Sequence, residues 1–93
     1  MTDALLIEAG LAAVSHYNTE RALREARHDL AEAEHEWCKN EGIERRRLEP
    51  DVYASMRANC AVYHESVRKA KRAQYNAKRR LETAVRRVSS LVF

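Results

Sequence analysis

Arg68, Arg72, Tyr75, Arg79 and Arg86 follow one another at steps of four, three, four and seven residues, which gathers them on one face of an α-helix. Lys69, Lys71, Lys78, Arg80 and Arg87 flank the row. A line of cations with an aromatic ring among them can follow a phosphate backbone and stack on a base, so the pattern predicts nucleic-acid binding as one use of this face. The same cations suit an acidic protein surface equally well, where charge speeds the encounter and fixes orientation. They also suit solvent and pairing to acidic neighbours, and Glu82 interrupts the row.

Arg45, Arg46 and Arg47 form a second basic group, close in sequence to Trp37 and Ile43. Arg and Trp anchor many interfaces, but Trp37 is better placed as an apolar plug at the end of a helical seam, which leaves the three arginines as the contact there. His35 and Cys38 stand three residues apart, the spacing that a metal needs on a helix, with His28 on the same face as His35. A tetrahedral site requires further ligands, and no second Cys or His pair is near. No metal, cofactor or small-molecule substrate is therefore expected, and the histidines are read as solvated. Glu32, Glu34 and Glu36 alternate across helix faces, and no glycine-rich phosphate loop or nucleophile elbow is present. The chain is read as having no enzymatic activity.

The elements that must position these residues follow from two heptad series. The first runs Leu5, Ala9, Ala12, His16, Thr19, Leu23, Ala26, Leu30, Ala33 and Trp37. The second runs Tyr53, Met56, Cys60, Tyr63, Val67, Ala70, Gln74, Ala77, Leu81, Ala84, Val88 and Leu91. Alternating steps of three and four predict two long amphipathic helices, each with one seam. Lys39 suits the last turn of the first helix and Gly42 the left-handed position just beyond it. Pro50 suits the first position of the second helix, where Glu49 and Asp51 favour the dipole; Arg86 and Arg87 suit its other end.

The expected fold is all-α: an antiparallel two-helix hairpin with helix one at about 3–41, a connection at about 42–49 and helix two at about 50–90, forming one domain over residues 1–93. Folding back brings residues whose numbers sum to 93 face to face, and most layers then pair a large side chain with a small one. Thr19 with Gln74 is the polar layer, read as a pin that penalises other registers.

With 93 residues, the chain hides only about 60 to 65% of the surface that it would expose unfolded, so its core is small. The formal net charge of +3 conceals a division along the chain. Residues 1–49 hold seven basic and eleven acidic side chains, while residues 50–93 hold ten and three, which suits two helices lying together. No apolar run is long enough to cross a membrane and no leader pattern precedes Ala4–Val14. Two cysteines, Cys38 and Cys60, are too few for a disulfide framework. A cytoplasmic protein is expected.

Apolar residues outside the seam cluster at the open end: Leu6, Ile7, Leu11 and Val14 on helix one, and Val85, Val92 and Phe93 on helix two. Ile7 and Val14 point away from the seam, and exposed groups of this kind mark interfaces. A two-fold homodimer through the open end, building a helical bundle, is the expected arrangement. The alternative is that helix one bends at Gly10 and its first turns cap the hairpin.

Secreted WXG-type proteins share the hairpin architecture, but Trp37-Cys38-Lys39 lacks their Trp-x-Gly turn. In size and charge-rich, helix-only composition the chain is similar to phage-encoded inhibitors of host defence, including anti-CRISPR proteins, which implies binding to, and inhibition of, a larger protein. A non-enzymatic protein-binding module that dimerises is the leading expectation, and nucleic-acid binding through the basic face is the alternative.

Overall fold

A computed structural model of the chain describes residues 2–44 and 48–92. These fold into α1 (Thr2–Glu41), α2 (Pro50–Asn59) and α3 (Ala61–Val92), with no strand among them. The all-α expectation holds. Helix α1 is uninterrupted through Gly10, so the bend and the capping arrangement that it would allow are absent.

Contacts group the chain into two units, one holding residues up to Leu23 together with those from Ala70 onward, the other holding Arg24–Lys69. In the first unit α1 packs on α3 in antiparallel sense: Glu8 meets Arg87 and, further along, His16 meets Gln74. Leu23, Ala77 and Ala84 are buried, and Leu5, Ala9, Ala12, Thr19, Ala70, Leu81 and Val88 are half-buried beside them. Alanines at the closest positions leave little side-chain volume between the helices, so packing there depends on backbone approach.

In the second unit Cys38, Met56 and Cys60 form the buried core, with Leu30, Ala33, Trp37 and Leu48 packed against it. The chain enters this core through a well-formed helix end. Gly42 lies at φ 67°, its amide donates to the Lys39 carbonyl at 3.2 Å, and the Ile43 amide donates to the Cys38 carbonyl at 2.9 Å. Those two bonds close a Schellman motif, which needs a residue without a Cβ penalty at the left-handed position. Pro50 begins α2 with no amide to leave unsatisfied, as the sequence requires.

Helix two of the sequence reading is two helices. They part at Cys60, whose backbone leaves helical values at φ −102° and ψ 17° although its amide still donates to the Met56 carbonyl at 3.0 Å. Beside it the Asn59 side-chain amide donates to the Ser55 carbonyl at 2.8 Å, and the Cys60 carbonyl accepts from both the Tyr63 amide at 3.0 Å and the His64 amide at 3.1 Å.

Three further departures follow from helix geometry. In the second unit Met56, Cys60 and Val67 are buried as their series predicts, but on α1 burial falls on Glu34 and Cys38 while Ala33 and Trp37 are only half-buried, and Tyr63 is exposed beside half-buried His64. An α-helix turns every 3.6 residues, so a strict seven-residue series drifts about 20° per heptad and the inward position slips to the next residue. Tyr53 and Leu91 are likewise exposed at the ends of their series. Helix α3 reaches Val92 and has no basic residue in its last turn, so Arg86 and Arg87 lie too far back to complement the dipole there.

Candidate interaction surface

Two exposed faces of the first unit carry the candidate residues. On α1, Leu6, Ile7, Leu11, Val14 and Tyr17 are between 53% and 68% exposed. The seam residues between them, Ala9, Ala12 and His16, turn inward, so Ile7, Val14 and Tyr17 lie on the part of the helix that faces away from α3, with Leu6 and Leu11 at its two margins. Leu11 also borders a groove of about 390 Å³ beside the seam, floored by Ala12, Ala77 and Ala84. Across the groove mouth the Arg87 guanidinium donates to the Glu8 carboxylate at 3.1 Å. Both partners are more than half exposed, so solvent holds this pair to the usual fraction of a kcal/mol for surface ion pairs.

Val85 is exposed but lies one residue from buried Ala84 on α3, which puts it at the edge of the seam and not on the outer face of α1. The side chains of Val92 and Phe93 are outside the described residues, as are Arg45, Arg46 and Arg47.

The second face is the basic side of α3. Arg72, Tyr75, Arg79 and Arg86 are all exposed and lie opposite the buried Ala77 and Ala84. The Arg79 guanidinium sits over the Tyr75 ring, 5.8 Å from its centre, which is cation–π range. Arg68 belongs to the other unit, where it donates to Glu65 at 2.6 Å one turn earlier. A ring that is 58% exposed, with one cation over it and others beside it, is a surface for an anionic or π-rich partner.

The polar layer of the seam takes a different form from the one the sequence suggests. Gln74 lies 3.5 Å from His16 through Nε2 of each, whereas the Thr19 hydroxyl donates back to the His16 carbonyl at 2.9 Å on its own helix. Helix hydroxyls readily satisfy themselves this way, so the amide finds the imidazole one turn away. Glu20 also stands 3.6 Å from His16 Nε2. The same ring nitrogen therefore has both an amide and a carboxylate close to it.

His35 is exposed and Cys38 buried, so the two do not converge, and among the described residues no three His, Cys, Asp or Glu side chains are grouped as metal ligands. Two ionisable side chains whose burial the spacing does not announce lie in the second unit: Glu34 is buried, and the Nε2 of His64 is buried without a hydrogen-bond partner. Their only signal in sequence is adjacency to the seam positions Ala33 and Tyr63.

Burial raises the Cys60 thiol above its ordinary value of 9.0, with the negative charge of Glu34 and then Cys38 adding to the effect. The folded thiol thus holds its proton where the unfolded one loses it. The contribution of Cys60 to stability is complete below pH 9 and declines as pH rises above it, by up to about 1.4 kcal/mol per pH unit. Chemical unfolding of the wild type and Cys60→Ala at pH 7 to 10.5 checks this, with the gap between them expected to narrow only in the alkaline range; a gap that stays constant would refute it.

Comparison with known protein families, with curated proteins and with solved structures finds no match. The reading of function therefore rests on the two faces. No helix among the described residues is long and apolar enough to cross a membrane.

Proposed function

We propose that the chain is a non-enzymatic protein-binding module that self-associates through the apolar outer face of α1 and docks on a larger protein. The observation that carries this is the group of five large apolar side chains, each more than half exposed, on about three turns of one helix. Scattered apolar residues on a surface are ordinary, but a contiguous group is a binding surface. The basic face of α3 complements an acidic partner, and by covering a functional surface of that partner the module inhibits it.

A second reading, nucleic-acid binding, is favoured by Tyr75 and Arg79, because an exposed ring among cations suits stacking and phosphate contact together. One experiment separates the two. A photo-crosslinking residue in place of Tyr75, illuminated in the producing cells, is expected to trap one discrete protein. Arg72→Glu with Arg79→Glu, a change of four charge units on an exposed face, is expected to abolish that adduct while leaving helicity unchanged. A nucleic-acid adduct with the same sensitivity would instead establish the second reading, with affinity that falls steeply as salt rises. Crosslinks to neither would refute both uses of the face.

A further inference from the structure

Along the outer face of α1, Asp3, Ile7, Gly10, Val14, Tyr17 and Arg21 recur at steps of four, three, four, three and four, and all are exposed. This is a second heptad series, set on the side of the helix opposite the seam with α3. Gly10 stands in the middle of it. A Cβ built there would meet nothing within 4 Å, so no neighbour inside the chain requires a glycine. Glycine weakens a helix interior relative to alanine, and a notch of this kind is useful only if something from outside enters it.

From this series we infer the occupant and its direction: a second copy of the chain pairs antiparallel along this face, with residues whose numbers sum to 24 opposite one another. The inference rests on the self-association proposed above and specifies its geometry. In that register the Val14 side chain of each copy enters the notch at Gly10 of the other, Ile7 meets Tyr17, and Asp3 meets Arg21 at both ends. The notch layer pairs large with small, the Ile7–Tyr17 layer pairs apolar with aromatic, and the end layers pair negative with positive. A guanidinium has five donors, so the contact that Arg21 already makes within its own chain leaves donors for a carboxylate.

A parallel pairing fails on the same residues. It would set Gly10 against Gly10, leaving a void, and would place Asp3 against Asp3 and Arg21 against Arg21. A two-fold axis perpendicular to the helix avoids all three penalties. Leu6 and Leu11 flank the series and widen the buried strip. The contact is at the small end of specific interfaces, below about 1,200 Å² in total, so association in the micromolar range is expected.

The test mixes two variants of the full chain, Ile7→Cys and Tyr17→Cys, under mild oxidation, with Cys38 and Cys60 left in place because both are buried. The expected product is the mixed dimer, at least tenfold over either homodimer, because antiparallel pairing separates the two Ile7 positions by ten residues, about 15 Å. Gly10→Leu is expected to weaken association at least tenfold while helicity is unchanged. Dominant homodimer crosslinks, no crosslinks in a protein that sediments as a dimer, or wild-type association of Gly10→Leu would each overturn the register and leave self-association standing. Sedimentation as a monomer at every concentration would overturn both.

Discussion

Met56→Ala is expected to lower the unfolding free energy by about 2 to 5 kcal/mol, the range for a large side chain removed from a closed core. Met56 is 1% exposed, the most enclosed large side chain among those described, and sits between Cys38 and Cys60 with its sulfur 3.8 Å from the Cys38 thiol. Most small domains are stable by only about 5 to 15 kcal/mol, so this one truncation removes a large share. Met56→Leu keeps the volume and is expected to cost less than about 1.5 kcal/mol. Val62, exposed on the same unit, is the control, and Val62→Ala is expected to change stability by no more than about 0.5 kcal/mol. Urea unfolding followed by circular dichroism gives the global value. Trp37, the single tryptophan, packs against this core and reports the second unit by its fluorescence. A Met56→Ala loss no larger than that of the control would mean that the core does not hold the helices together.

Ile7→Asp combined with Val14→Asp is expected to reduce self-association by more than about a hundredfold. Each apolar side chain is worth roughly 1.5 to 3 kcal/mol when fully buried, and every 1.4 kcal/mol is tenfold in affinity. The introduced carboxylates add the cost of burying charge without a partner. Because both positions are exposed in the single chain, the unfolding free energy at low concentration should move by no more than about 0.5 kcal/mol. Sedimentation velocity over a wide concentration range measures the first effect and thermal unfolding at low concentration the second. Unaltered association would remove α1 from the interface. A large loss of stability in the dilute protein would show that the face packs within the chain.

The seam and the outer face are both legible as spacing, because helix periodicity ties position in sequence to position around an axis. Ala77 and Ala84 are buried, and Ile7 and Val14 exposed, for that reason. Glycine and proline were equally informative, since Gly42 and Pro50 have conformational limits that hold in any context. What spacing could not convey is competition between donors. Thr19 reads as the partner of Gln74 until its hydroxyl is seen on its own helix.

The amino-acid sequence by itself determined that this protein is helical, where the helices begin and end near Glu41 and Pro50, and which residues of α1 and α3 form apolar and basic faces. Local backbone preference and a period of 3.6 residues are sufficient for all of these. Only the tertiary structure decided that α2 and α3 part at Cys60, that Cys38 and Glu34 are buried while Trp37 remains partly exposed, and that Gln74 meets His16. The last two each depend on a small difference, a 20° drift per heptad or the choice among acceptors within reach of one donor, that packing between helices resolves and no single helix encodes.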